Sequence, residues 1–140
     1  MLCALLVGCA GQAARPVVAP SAPPVSDPQQ CLSRAECSTK VSRTLLFVFD
    51  YAALGAPLLQ RDGRLLFTPA DAPASEWPAL YIRLAEAERS GFGFNGQCRA
   101  QACRLQVEQL LQIYRSYLAG QPCAISAAPC RLGEAAAVSQ

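Results

Sequence analysis

Apolar positions recur along this chain with two different periods. Between Ser38 and Leu54, Val41, Leu45, Val48 and Ala52 return every three or four residues with Phe49 beside them, which predicts a helix. Ser38 or Thr39 can cap its start, and Gly55 with Pro57 supplies a stop signal. The unbroken run Leu45–Phe49 would also suit a strand. From Cys103 to Ala119 the same period is clearer. Val107, Leu110, Leu111, Tyr114, Tyr117 and Leu118 form one stripe, with Gln106, Glu108, Gln112 and Arg115 off it, and Gly120 and Pro122 end the helix.

Between the two helices the period shortens to two. Leu58–Gln60 and Arg64–Thr68 flank Arg61-Asp62-Gly63, a hairpin signal because glycine accepts positive φ. Asp71 to Pro78 reads as a loop carrying the one tryptophan, Trp77. Leu80, Ile82 and Leu84 then alternate with Tyr81, Arg83 and Ala85, as in a strand with one buried face, although Ala85–Arg89 favours helix. Ser90-Gly91 can turn the chain, and Phe92, Phe94, Gly96 and Cys98 share one face of a further strand. The expected fold is α+β: an N-terminal helix, about four short antiparallel strands and a C-terminal helix, with both helices on one sheet face.

The first thirty residues belong to neither pattern. Leu2–Val7 is a short apolar run, far below the roughly 20 residues that span a bilayer. Leu6-Val7-Gly8-Cys9 follows it and resembles the lipobox of bacterial lipoproteins. The resemblance implies that residues 1–8 are a signal peptide cut before Cys9, and that Cys9 carries the lipid that anchors the chain to a membrane. Ala10 in place of Asp implies the periplasmic side of the outer membrane. Such a signal starts with a basic residue, whereas Arg15 is the first here, so the true start is expected upstream. Residues 9–30 carry Pro16, Pro20, Pro23, Pro24 and Pro28 and read as an extended tether. A folded domain over 31–130 and a flexible tail over 131–140 complete the layout.

Once Cys3 leaves with the signal and Cys9 is acylated, six cysteines remain. An even number in an exported domain reads as a disulfide framework. The sequence spacing forms three close couples, Cys31/Cys37, Cys98/Cys103 and Cys123/Cys130, favoured because local closure is entropically easiest. Longer-range pairs such as Cys37–Cys98 would constrain the unfolded chain more. No CxxC couple is present, so neither a zinc site nor a thioredoxin-like centre is expected. Over residues 31–119 the order of a Cys-rich helix start, a strand run and a Cys-capped closing helix resembles small Cys-rich bacterial envelope proteins. That likeness implies a fold type and no activity.

Composition narrows the chemistry. Histidine is absent, which removes Ser–His–Asp and Cys–His mechanisms from this chain. Twelve basic and ten acidic residues leave a net charge of +2, too weak and scattered to imply a nucleic-acid partner. Glu86 and Glu88 read as a solvated edge, and Asp50 as a partner of Arg43 or the cap of a loop. Gly91–Gly96 lacks phosphate-loop spacing and reads as a turn and strand edge, or as a recognition loop. No catalytic residue, metal site or cofactor is therefore expected. The expected function is non-enzymatic: a lipid-anchored envelope protein that binds another protein as an accessory subunit or inhibitor, with Trp77, Phe92 and Phe94 as exposed aromatic anchors. The competing expectations are a thiol oxidoreductase or carboxylate-based cell-wall enzyme, and a passive envelope stabiliser.

Overall fold

A computed structural model describes residues 26–126. Cys9, the signal peptide, most of the tether, Cys130 and the tail lie outside the described residues. The elements run β1 (Gln30–Cys31), α1 (Arg34–Ala53), β2 (Leu59–Arg61), β3 (Leu65–Phe67), β4 (Ala79–Arg83), β5 (Ser90–Gly91), β6 (Gly93–Gln97) and α2 (Val107–Leu118). Strands β2, β3, β4 and β6 form one antiparallel sheet in that order, and β1 pairs antiparallel with β5. The fold is α+β, with both helices packed against the sheet.

Helix α1 starts at Arg34, four residues before the sequence-based expectation. Ser33 is its cap: its Oγ accepts the Glu36 N–H at 3.2 Å. The Glu36 carboxylate accepts the Leu32 N–H at 2.8 Å and pairs with Lys40 Nζ at 2.8 Å. The Lys40 ammonium, itself buried, also donates to the Gln30 carbonyl. Helix α2 starts at Val107, not Cys103. Cys103 is held by its disulfide to Cys98, and the Arg104 N–H donates to the Glu76 carbonyl at 2.8 Å, so this segment is bound outward before the helix begins. The expected strand over 79–88 is a strand only to Arg83; the Ala85–Arg89 stretch forms a loop.

The folded body also begins earlier than residue 31. The Gln29 amide donates to the Phe92 carbonyl at 2.9 Å. Arg115 reaches both Gln29 Oε1, at 3.1 Å, and Asp27 Oδ1, at 3.3 Å. The last residues of the expected tether are thus fastened to β5 and α2.

Alternation divides the large sheet into two faces. Leu66, Ile82 and Phe94 are cross-strand partners on the inner face, with Leu80 two residues along. Against them α1 presents Phe47 and Tyr51, and α2 presents Leu110, Tyr114 and Tyr117. Phe47 is the hub, with ring centroids of Tyr114 at 5.3 Å, Tyr117 at 5.4 Å, Tyr51 at 5.8 Å and Phe94 at 6.4 Å. Buried hydroxyls find partners: Tyr51 donates to the Pro78 carbonyl at 2.7 Å, and Thr44 Oγ1 lies 2.9 Å from the Tyr114 hydroxyl.

Two glycines are fixed by close approach. At Gly96 an added Cβ would lie 3.0 Å from both Leu80 Cδ2 and Val107 Cγ1, so α2 can start against β6 only over a missing side chain. Gly120, at φ +78°, follows α2 in the left-handed conformation that ends many helices. Beside it, Arg43 Nη1 donates to the Leu118 carbonyl at 2.7 Å.

Burial raises the hydroxyl pKa of Tyr51, Tyr114 and Tyr117, and at Tyr117 the Asp50 carboxylate, 2.6 Å away, raises it further. Unfolded tyrosine ionises near pH 10, so above that pH the unfolded chain holds fewer protons than the native one. Stability from these groups is complete below about pH 10 and falls as pH rises. Urea titrations at stepped alkaline pH should show the decline, with tyrosinate absorbance rising together with unfolding. A stability constant from pH about 8 to 12 would contradict it.

Candidate functional site

The helices cover one face of the large sheet and leave the other open. Its side chains fall into rows set by the strand register. Arg61, Leu65 and Arg83 are successive cross-strand partners in one row. Leu59, Phe67, Tyr81 and Asn95 form the next, and Ala79 and Gln97 a third. An open antiparallel face ordinarily carries polar residues. Here the middle row is apolar and aromatic over Leu59, Phe67 and Tyr81, with only Asn95 at its end polar, and Leu59 is 54% and Tyr81 38% exposed.

The hairpin β2–β3 positions the outer part of this face. Asp62 and Gly63, both at positive φ (53° and 65°), make the tight turn that the Asp-Gly pair predicts. The turn brings the Arg61 guanidinium to 5.0 Å from the centre of the Phe67 ring, a cation–π contact. On the far side two loops are tied to one another, and Pro69, Ala70, Asp71 and Arg99 from them border the face. Arg99 Nη1 donates to the Pro69 carbonyl at 2.8 Å. Arg104 Nε donates to Glu76 Oε2 at 2.6 Å, and that pairing raises the Arg104 pKa further. The Cys98–Cys103 disulfide closes the second loop.

The resulting groove has a volume of about 730 Å³ and is lined by Leu59, Arg61, Phe67, Tyr81, Asn95, Gln97, Arg99 and their neighbours. Asp71 is the one carboxylate among the lining residues. Beside it lies a more enclosed, mainly apolar pocket of about 380 Å³. Pro57, Pro69, Pro73, Trp77 and Pro78 line the pocket, and Leu59, Thr68 and Pro69 are shared with the groove.

The expected aromatic anchors are not exposed. Phe92 is 3% exposed and lies in the core. Phe94 stacks on Tyr114 at 5.2 Å, because its place in β6 points it at the helices. Trp77 is 8% exposed, packs edge-on against Tyr51 at 5.8 Å and lies under the Arg104 guanidinium at 5.7 Å. Only Trp77 touches the candidate site, as part of the pocket wall. The open-face residues Leu59, Phe67 and Tyr81 escaped sequence reasoning. Their signal was the partner side of the same alternation: apolar residues at positions where a one-sided sheet should be polar.

The other expected groups lie elsewhere. Asp50 accepts the Tyr117 hydroxyl, not Arg43, whose guanidinium is committed to the end of α2. Glu86 pairs with Arg64 at 3.3 Å on the surface. Disulfides join Cys31 to Cys37 and Cys98 to Cys103, as the spacing predicted. Cys123 is also disulfide-bonded, while its expected partner Cys130 lies outside the described residues. Among the described residues no cluster of metal-ligating side chains forms and no helix is long and apolar enough to cross a membrane. No family model, curated protein or solved structure matches the chain.

Proposed function

We propose that this chain is a bacterial envelope lipoprotein, anchored through Cys9 and tethered by its proline-rich segment, that acts without catalysis by docking another protein on the open sheet face. The Leu59–Phe67–Tyr81 stripe carries the docking reading. An exposed apolar row set between polar flanks, next to a pocket that can take one bulky side chain, has the anatomy of an interface centre with its rim. The lipobox resemblance and the paired cysteines support the address.

Site-resolved crosslinking tests the docking. A photoreactive phenylalanine analogue replaces Tyr81 in the full exported chain, and Gln112 on α2 serves as the control position. One discrete adduct is expected at position 81 and none at 112. Adding Phe67→Ser should reduce the adduct at least several-fold while circular dichroism stays native. Equal crosslinking at both positions, or an adduct indifferent to Phe67→Ser, would sink the reading.

A further inference from the structure

Resting on that docking reading, we infer that the partner presents an acidic segment with an apolar ridge, its carboxylates read by Arg61 and Arg83 on one flank of the stripe and by Arg99 on the other. The register supplies the geometry. Arg61 and Arg83 share the row directly beside Leu59, Phe67 and Tyr81. Rows on one face are two residues apart, about 7 Å, so carboxylates flanking a ridge seated on the stripe fall within guanidinium reach. Arg99 borders the groove from the opposite side.

The three arginines are also electrostatically unspent. Arg64, Arg104 and Arg115 each have a carboxylate partner. Among the described residues Arg61, Arg83 and Arg99 form no ion pair, and Asp71 is the single acid lining the groove. Two of the three are held in place by uncharged contacts, Arg61 by the Phe67 ring and Arg99 by the Pro69 carbonyl, which leave most of their five N–H donors open. Cations held in place without a counter-ion, around an apolar stripe, are complementary to an anionic ligand with an apolar centre. The adjoining pocket walled by Trp77 takes one bulky residue of the ridge. An anionic bilayer would satisfy the arginines but could not fill a groove bordered by Pro69, Ala70, Asp71 and Arg99, so a polypeptide is the better match.

The full chain in detergent, ¹⁵N-labelled, is titrated with a short synthetic amphipathic peptide whose leucine ridge is flanked by glutamates. Parallel titrations use the same peptide with lysine for glutamate, the same peptide with serine for leucine, and equimolar phosphatidylglycerol–phosphatidylcholine vesicles. The glutamate–leucine peptide should shift the Trp77 indole and the Arg61 and Arg83 Nε resonances, and both control peptides should bind roughly tenfold or more weakly. Arg61→Gln/Arg83→Gln/Arg99→Gln should cost a similar factor and flatten the salt dependence, because all three side chains are surface groups. Equal binding of the lysine peptide, vesicle binding that produces the same shifts, or a triple variant that binds unchanged would each overturn the inference. Tyr81 crosslinking that persists at full yield in the triple variant would overturn it too, while leaving the docking reading standing.

Discussion

Replacing Phe47 by alanine is expected to remove about 3–5 kcal/mol of stability, the usual cost of emptying a fully buried phenylalanine site. Phe47 is completely buried, and four aromatic rings from both helices and β6 converge on it. These rings are tethered to three different elements and cannot all collapse into the space, so the cavity persists. A domain of this size has about 5–15 kcal/mol in total, so the loss is a large share of it. Urea denaturation by circular dichroism should show the midpoint fall with little change in slope. Phe47→Leu keeps most of the volume and should cost about 1 kcal/mol. A Phe47→Ala penalty no larger than that of Phe47→Leu would mean that the ring cluster is not the centre of the core.

Removing the Cys31–Cys37 bridge by Cys31→Ala/Cys37→Ala should cost about 2–4 kcal/mol. Chain-entropy reasoning for so short a loop accounts for about 2 kcal/mol, and the rest is lost packing. Cys31 is completely buried in the core, between the β1–β5 pairing and the start of α1. Removing the bridge therefore loosens the N-terminal strap and leaves a gap in the core where the sulfurs packed. The Cys98–Cys103 bridge closes a similarly short loop with Cys98 exposed. Cys98→Ala/Cys103→Ala should cost less, about 2 kcal/mol or below, and should mainly loosen the groove wall. Urea midpoints of the two double variants, measured against the parent with and without dithiothreitol, separate the contributions. A Cys31→Ala/Cys37→Ala loss smaller than the Cys98→Ala/Cys103→Ala loss would contradict this ordering.

The β2–β3 hairpin was legible because Asp62-Gly63 sits between short apolar runs, whereas the β1–β5 pairing was not: Ser90-Gly91 read as a turn and instead pairs with Gln30–Cys31, about sixty residues away. Helix α2 was legible from its stripe, but its start was not. The Cys98–Cys103 couple was legible from its spacing, but nothing in the local sequence says that Arg104 is fastened to Glu76, far back in the chain, or that the two ties hold the segment out of the helix. The first turn of α1 was hidden for the opposite reason: Arg34, Ala35 and Glu36 favour helix but contribute nothing to the apolar repeat. The site was misread through one assumption, that aromatic residues in loops and glycine-rich stretches are exposed. Phe94 points inward because β6 pairs with β4, and Phe92, between β5 and β6, is held by its N–H donating to the Gln29 carbonyl at 2.7 Å; neither partner is a sequence neighbour. The open face could be inferred only after the register was known, since register decides which apolar residues line up across strands.

The junction of α1 with the end of α2 has a consequence for descent. At Gly120 the backbone sits at φ +78°, which strains any side chain, and a Cβ would also lie 2.6 Å from Arg43 Nη2, displacing the guanidinium from the Leu118 carbonyl. Glycine should persist at 120 in most lineages, and wherever another residue stands there, position 43 should be released from the end of α2 and free to vary.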